Sequence, residues 1–223
     1  MAFDAVVFDL DGTLLDSLGD IAAAANHTLA AMGLPTHPLA SYKRFAGQGL
    51  PNLFRAALPA EQLHRLDEAI GVFKPYYAEH QRDTTGPFAG IGAVLDELVG
   101  AGVWVAVLSN KPEAATAAMV EHYFPAVPWA AVWGHREGYP PKPDPASCLA
   151  VLDEIGATPT RTAFVGDTMA DMLTAQATGC YAVGVSWGFR AVEELEAQGA
   201  AVILHNTTEL AGALLTGPDR PGG

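Results

Sequence analysis

Short runs of β-branched and aromatic residues alternate with helical stretches along most of this chain, and this alternation is the feature that most restricts its fold. Six runs have the composition of strands: 3–10, 103–108, 129–133, 162–165, 181–185 and 201–204. Helical spacing is found at 90–100, 112–122, 145–156, 168–178, 190–198 and 207–215. Several strands are apolar on both faces, as strands covered by helices are. We therefore predict an α/β fold with a doubly wound parallel sheet.

The segment 16–85 interrupts this alternation, because it has no strand pattern. Apolar residues recur in it at helical spacing, in two sets: Leu18, Ile21, Ala25, Leu29 and Met32, then Leu63, Leu66, Ile70, Phe73 and Tyr77. The segment directly follows the first strand, and ligands of open α/β sheets bind beyond the carboxyl ends of the strands. We therefore predict a core formed by 1–15 and 86–223, with 16–85 inserted over the site as a helical lid.

Charge also separates these two parts. The chain has 223 residues and a formal net charge of −13, yet 16–85 contains six Lys/Arg and seven Asp/Glu, against six and 18 in the remainder. The net charge argues against nucleic acid or an anionic membrane as a partner, since both require clustered Lys and Arg. No apolar run approaches the length of a membrane span, and Cys148 and Cys180 fit neither a metal site nor a disulfide framework. We expect a cytoplasmic monomer or homodimer that acts on a small molecule.

Polar residues follow four of the predicted strands at the points where those strands end. They are Asp9 and Asp11 after the first strand, Ser109–Lys111 after the second, Lys142 in the loop after the third, and Asp167 and Asp171 after the fourth. Each piece alone has an ordinary explanation, such as a turn or a helix N-cap. Because the carboxyl ends of parallel strands meet at one edge of a sheet, we expect four carboxylates, two lysines and a hydroxyl to lie close together there.

Clustered carboxylates without clustered His or Cys suit a hard cation held by oxygen, and Mg²⁺ is the ion favoured. Such a cation allows Asp9 to stay ionised beside Asp11 and Asp167. A Mg²⁺ site with lysine and backbone N–H groups is also how proteins hold a phosphoryl group. The chain has no Gly-x-x-x-x-Gly-Lys loop, and no Gly-x-Gly-x-x-Gly follows a strand. The residues therefore predict a Mg²⁺ and phosphoryl site without a nucleotide-binding motif.

These motifs resemble those of the haloacid dehalogenase superfamily of phosphotransferases, over essentially the whole chain. "DLDGT" resembles the superfamily's first motif, Ser109 its second, Lys142 its third and "GDTMAD" its fourth. Within the superfamily, "LSNKPE", "KPDP" and "VGVSWGFR" are similar to stretches of the phosphoglycolate phosphatases. The resemblance implies a Rossmann-like sheet with the strand order 5-4-1-2-3 and an α-helical cap.

The resemblance also implies roles for the residues that contact the reacting group. Asp9 would be the nucleophile that forms an aspartyl-phosphate, and Asp11 would be the general acid–base. Ser109 would bind the transferring phosphoryl group with help from the Asn110 backbone. Lys142 would offset negative charge on the nucleophile and the phosphate.

For the metal, the resemblance implies that Asp9, the Asp11 carbonyl and Asp167 bind Mg²⁺. Asp171 would act through water or would orient Lys142. The turn that follows Asp11 would be shaped by Gly12 and Thr13.

The motifs thus predict a Mg²⁺-dependent phosphatase of a small phosphorylated metabolite, with 2-phosphoglycolate as the leading substrate. Two alternatives stay open: a sugar phosphomutase or a phosphatase of another metabolite, such as a sugar phosphate or pyrophosphate, and a non-catalytic Mg²⁺ and phosphate-binding regulator. The presence of an acid–base at Asp11 argues against the regulator. Lys43 and Arg44 in the insert are candidates to bind the far anionic end of the substrate, the alternative being a solvated helix face.

Overall fold

The computed structural model describes residues 3–217 and contains the predicted parallel sheet. The strands are β1 (Ala5–Phe8), β2 (Leu15–Asp16), β3 (Gly86–Pro87), β4 (Trp104–Pro112), β5 (Ala131–His135), β6 (Thr162–Gly166), β7 (Tyr181–Val185) and β8 (Val202–Leu204). Six of them form the main sheet in the order β5-β4-β1-β6-β7-β8, and all neighbours are parallel. The first five predicted strands therefore have the order 5-4-1-2-3, as expected, and β8 extends the sheet beside β7.

Two strand ends differ from the prediction in ways that matter for the site. The ladder of β1 ends at Phe8 and not at residue 10, because the chain turns and the Leu10 carbonyl accepts hydrogen bonds from the N–H groups that follow. Strand β4 continues past Leu108 to Pro112 and therefore includes Ser109 and Lys111. Asp9 thus follows a strand directly, whereas Ser109 lies within one.

Ten α-helices occur in the described residues: α1 (Leu18–Ala31), α2 (Leu39–Phe45), α3 (Leu50–Ala57), α4 (Leu66–His80), α5 (Ile91–Gly100), α6 (Glu113–Tyr123), α7 (Ala146–Ile155), α8 (Met169–Thr178), α9 (Val192–Ala197) and α10 (Thr207–Thr216). The last six cover both faces of the sheet. Val6 and Phe8 pack with α5, α6 and α10 on one face, and Val7 packs with α7, α8 and α9 on the other. The fold is therefore doubly wound, as the alternation predicted.

The segment between β2 and β3 is helical and has a hydrophobic core of its own. Helices α1–α4 pack around Leu29, Tyr42 and Phe54, each with no exposed surface. Leu63 departs from the predicted apolar stripe, since 43% of its surface is exposed. It lies in a 3₁₀ turn over Ala60–Arg65, before α4 begins, and so it does not share the face of α4 that is buried.

The two connections between the sheet and the helical segment are tied together. Strand β2 pairs antiparallel with β3, with Leu15 opposite Pro87. Asp20, only 2% exposed, accepts hydrogen bonds from the N–H and hydroxyl groups of both Thr84 and Thr85. Burial would raise the pKa of this carboxyl, but these hydrogen bonds lower it. The chain therefore leaves and re-enters the core at one fixed place.

No helix within residues 3–217 is long and apolar enough to cross a membrane. The predicted core ranges include residues 1, 2 and 218–223, which lie outside the described residues. A cytoplasmic location stays a prediction.

Replacing Asp20 by Ala removes the acceptor for the buried N–H and hydroxyl of Thr85. We expect a loss of about 2 kcal/mol in the free energy of unfolding, because a buried donor is left without a partner. Urea titration followed by circular dichroism measures this loss. The matched control is Asp16→Ala, which removes an exposed carboxylate from the same connection; equal losses in the two variants would contradict the role given to Asp20.

Candidate active site

The four predicted loops converge at the carboxyl edge of the sheet around the buried ammonium group of Lys142. Its Nζ lies 2.8 Å from Asp9 Oδ1, 2.7 Å from Asp171 Oδ1 and 2.7 Å from the Leu108 carbonyl oxygen. Burial would lower the pKa of Lys142, but the two carboxylates raise it above its ordinary value. Lys142 is therefore charged and joins the end of β1 and the middle of β4 to the start of α8.

Three buried carboxylates beside Lys142 have the arrangement of a cation site. Asp9, Asp167 and Asp171 each offer an oxygen, and these oxygens lie within 4.8 Å of one another. Burial raises the pKa of Asp9 to about 7, although Lys142 acts to lower it. Burial and the neighbouring Asp9 and Asp171 also raise the pKa of Asp167. The cluster thus has more negative charge than one lysine offsets, and an oxygen-only donor set with this excess fits a hard divalent cation such as Mg²⁺.

Hydrogen bonds give Asp167 and Asp171 different surroundings. Asp167 accepts hydrogen bonds from Thr13 Oγ1 at 3.0 Å and from the Phe189 N–H at 2.7 Å. Asp171 Oδ2 accepts from the N–H of Thr168 at 3.0 Å and from its hydroxyl at 2.7 Å, at the start of α8. Since the other oxygen of Asp171 contacts Lys142, this carboxylate is placed to orient the lysine.

Two glycines allow the backbone to approach Asp167 closely. Gly12 has a φ of +88°, and a Cβ on it would lie 2.3 Å from Asp167 Oδ2. A Cβ on Gly188 would lie 2.3 Å from Asp167 Cβ. The predicted turn role of Gly12 thus has a physical basis, whereas the motifs predicted no role for Gly188.

Asp11 is paired with Lys111, for which the motifs also predicted no role. Lys111 Nζ lies 3.0 and 3.1 Å from the two carboxylate oxygens, and Ser17 Oγ donates to Asp11 Oδ1 at 2.6 Å. The same ammonium donates to Tyr77 Oη at 2.6 Å. Burial would lower the pKa of Lys111, but Asp11 and Tyr77 raise it. The available signals were the place of Lys111 in "SNK" and the polar hydroxyl of Tyr77 on an otherwise apolar stripe.

Ser109 and Asn110 lie in the last half of β4 and are both buried. Ser109 Oγ accepts a hydrogen bond from the Lys111 N–H at 3.3 Å, so its own hydroxyl proton can be donated elsewhere. The Asn110 side chain bonds the N–H of Lys142 at 2.8 Å and its carbonyl oxygen at 3.0 Å. Asn110 therefore holds the loop that presents Lys142, in addition to the predicted use of its backbone.

A cavity of about 420 Å³ lies between this edge of the sheet and the helical segment. The edge contributes polar residues to the lining: Asp9, Asp11, Ser109, Asn110 and Lys111. The helical segment contributes mainly apolar ones, among them Ile21, Leu50, Leu53 and Phe73, together with Tyr77 and Lys74. The cavity thus has a polar wall at the edge of the sheet and a mainly apolar wall on the helical segment.

The structure does not bring Lys43 and Arg44 to this cavity. Both side chains are exposed on α2, and neither contributes to the lining. Their carbonyl oxygens accept hydrogen bonds from Arg190, in the loop after β7, which also donates to the Ala46 carbonyl at 2.7 Å. Because Arg190 holds the main chain at the end of α2 against the core, the two basic side chains extend into solvent.

Comparison with known proteins identifies the family of this chain. The family model described as haloacid dehalogenase-like hydrolase matches residues 6–185. A phosphoglycolate phosphatase from Rhodospirillum rubrum is 34% identical over 227 residues, covering 98% of this chain and 93% of the relative. One from Pseudomonas putida is 31% identical over 211 residues, covering 92% and 77%. The crystal structure of a candidate phosphoglycolate phosphatase from Lactobacillus delbrueckii subsp. bulgaricus has a TM-score of 0.88 and 31% identity, covering 96% of this chain and 99% of the other.

The family match begins within β1 and ends with β7, so it includes the sheet edge at which the polar loops meet. The protein is an α/β hydrolytic enzyme. The chain belongs to the haloacid dehalogenase-like hydrolase family, which confirms the resemblance in its four motifs.

A divalent cation is expected to stabilise the protein more at pH 8 than at pH 5.5. The folded-state pKa of Asp9, about 7, lies above its ordinary value of 3.8. The metal-free protein therefore loses stability as pH rises from about 4 to about 7, and protons compete with a cation for Asp9 at any pH below about 7. Mg²⁺ at about 100 times its Kd adds about 2.7 kcal/mol. That corresponds to ~5–10 °C in Tm for a chain of this length.

Thermal melts with Mg²⁺ or EDTA at both pH values measure this difference. Asp167→Asn should abolish the Mg²⁺ shift, and Glu121→Gln, an exposed carboxylate on α6, should retain it. An equal Mg²⁺ shift at the two pH values, or its persistence in Asp167→Asn, would argue against a cation at this cluster.

Proposed function

We propose that this protein is a Mg²⁺-dependent phosphatase of small phosphorylated metabolites, with 2-phosphoglycolate as its substrate and residues 16–85 as its cap domain. The observation that carries the proposal is that Asp9 and Asp11 line one cavity, each paired with a buried lysine. The relatives named phosphoglycolate phosphatase support the choice of substrate.

Asp9, Asp167 and the main-chain carbonyl of Asp11 would hold Mg²⁺, with Asp171 acting through water or through Lys142. The bound cation would offset negative charge on the carboxylates and on the phosphoryl oxygens. Asp9 must be ionised to react, and Lys142 acts in that direction against the effect of burial on its pKa. Lys142 would thus hold Asp9 as a carboxylate and fix its orientation.

The reaction would proceed in two displacements at phosphorus. A carboxylate oxygen of Asp9 attacks phosphorus while the bond to the leaving oxygen breaks. Asp11, which must carry a proton when substrate is bound, gives that proton to the leaving oxygen. Water then attacks phosphorus of the aspartyl-phosphate and loses a proton to Asp11, so that phosphate leaves and Asp9 is regenerated. The Ser109 hydroxyl and the Asn110 N–H would bind the phosphoryl oxygens during both steps.

The cap would exclude water from the first displacement. Its apolar side chains form one side of the cavity, and its main chain is bonded to the core by Arg190 and by Asn110, whose Nδ2 lies 3.4 Å from the Gly47 carbonyl oxygen. In a closed site the ionic contacts of the two lysines strengthen, because less water screens them.

Purified protein should release inorganic phosphate from 2-phosphoglycolate in the presence of Mg²⁺, and excess EDTA should abolish the release. Sugar 1-phosphates should give free phosphate or no reaction; conversion to an isomer would identify a mutase. Binding of phosphate and Mg²⁺ without turnover of any phosphate ester would identify a regulator. Full activity in excess chelator would contradict the metal requirement.

The two aspartates should respond differently to loss of charge. Asp9→Asn should eliminate turnover and the acid-stable, alkali-labile phosphoenzyme, because an amide is not a nucleophile here. Asp11→Asn should lower kcat by about 10²–10⁴ with an alkyl phosphate, for which protonation of the leaving group is needed. It should lower kcat much less with nitrophenyl phosphate, whose leaving group needs little protonation. Equal losses for both variants on both substrates would refute this division of roles.

A further inference from the structure

Lys111 connects the proposed acid–base to the cap. Its ammonium group has three protons, and the contacts with Asp11 Oδ1, Asp11 Oδ2 and Tyr77 Oη account for them. Tyr77 belongs to α4 of the helical segment, whereas Lys111 is at the end of β4. Both side chains line the cavity. A cation and a hydroxyl from two different parts of the fold therefore meet at one point of its wall.

Tyr77 is placed to donate its own proton to a ligand. Burial raises its pKa to about 12, so the hydroxyl is protonated at neutral pH. Its oxygen accepts from Lys111, and among the described residues no hydrogen bond uses its proton. A buried hydroxyl that is polarised by an ammonium group and has a free proton is a good donor to an anion.

The carboxylate of 2-phosphoglycolate lies close enough to the ester oxygen to reach Lys111 and Tyr77. The ester oxygen of a bound substrate must contact Asp11 to receive its proton. Both carboxylate oxygens of Asp11 lie within 3.1 Å of Lys111 Nζ. In 2-phosphoglycolate a single carbon separates the ester oxygen from the carboxylate. If one oxygen of Asp11 turns to the ester oxygen, the Lys111 proton that it releases can be donated to that carboxylate.

The charges along the cavity agree with this placement. Lys142 is engaged with Asp9 and Asp171 and does not line the cavity. The lysines that line the cavity are Lys111 and the exposed Lys74 of α4. The residues opposite are mostly apolar, and the amide of Gln81, which also lines the cavity, already donates from Nε2 to the Ala78 carbonyl oxygen at 3.3 Å.

We propose that Lys111 and Tyr77 form the subsite that recognises the far carboxylate of the substrate, and that they select short phosphate esters with a carboxylate next to the ester carbon. This inference rests on the proposed phosphatase function and assigns its specificity to residues other than Lys43 and Arg44. Lys111 serves at the same time as a positioning residue for Asp11. Loss of Lys111 should therefore affect all substrates to some degree, but carboxylated ones most.

The test compares 2-phosphoglycolate with ethyl phosphate, which has the same number of carbons and no carboxylate. Lys111→Met should reduce the ratio of the two kcat/KM values by about 10- to 100-fold, and Tyr77→Phe by about tenfold, the range expected for hydrogen bonds to charged groups. Tyr123→Phe is the matched control, because its hydroxyl donates to the Thr85 carbonyl at 2.7 Å outside the cavity; it should leave the ratio unchanged. Equal losses on both substrates in Lys111→Met and Tyr77→Phe would overturn the inference, since these residues would then act only through Asp11 or the fold.

Lys43→Ala and Arg44→Ala test the alternative that α2 recognises the carboxylate. If these variants, and not Lys111→Met or Tyr77→Phe, lose the preference for the carboxylated substrate, then α2 recognises the carboxylate and the inference is wrong. Tyr77→Phe retains the Lys111–Asp11 ion pair, so it tests the subsite even if Lys111→Met proves unstable.

A binding measurement separates this inference from the proposed function. In the Asp9→Asn background with Mg²⁺, calorimetry should show 2-phosphoglycolate binding about tenfold or more tightly than ethyl phosphate, and Lys111→Met should remove that difference. If the wild type fails to hydrolyse 2-phosphoglycolate but this Lys111-dependent preference is present, the subsite stands and the proposed substrate falls. If the wild type hydrolyses 2-phosphoglycolate and Lys111→Met leaves the preference intact, the function stands and the subsite is refuted. Absence of both turnover and preference would overturn both.

Discussion

The ammonium group of Lys142 is the contact on which the assembly of the site depends. A buried charge is very unfavourable unless it is paired and hydrogen-bonded, and Lys142 meets this condition only when Asp9, Asp171 and the Leu108 carbonyl are all in place. The three partners come from different elements of the core. These contacts thus hold β1, β4 and α8 in one arrangement. The side chain of Asn110 holds the loop that carries Lys142, through the N–H and the carbonyl oxygen of that lysine.

The lysine does not balance all the carboxylates around it. Asp167 also lies in the cluster, and the pKa values of Asp9 and Asp167 are both raised by burial and by neighbouring negative charge. This excess is unfavourable for the protein alone and favourable for a bound cation, because the cation supplies the missing charge. In the protein without a cation, the hydrogen bonds from Thr13 and Phe189 keep Asp167 oriented. The unbalanced charge therefore lowers the stability of the metal-free protein at the same carboxylates that would bind the cation.

A second lysine connects the helical segment to the proposed acid–base. Lys111 pairs with Asp11 and also donates to Tyr77 of α4, so the surroundings of the proposed acid–base depend on the position of the helical segment. Asp20 fixes where that segment leaves and re-enters the core, and Arg190 holds the end of α2. The segment is thus attached to the core both where the chain enters and leaves it and at the end of α2.

Much of this arrangement can be predicted from the sequence, because strands, helices and the residues at strand ends are defined by patterns among neighbouring residues. The alternation of strands and helices determines a doubly wound sheet, and parallel strands place the residues at their carboxyl ends together, so the order of residues along the chain is enough to assign Asp9, Ser109, Lys142 and Asp167 to one site. What only the tertiary structure decided is which side chains contact one another across elements. Helical spacing alone did not show that Leu63 lies outside α4, that Lys43 and Arg44 extend into solvent, or that Tyr77 meets Lys111. Periodicity defines a face within one element, but the direction in which that face points depends on packing against residues far away in the chain.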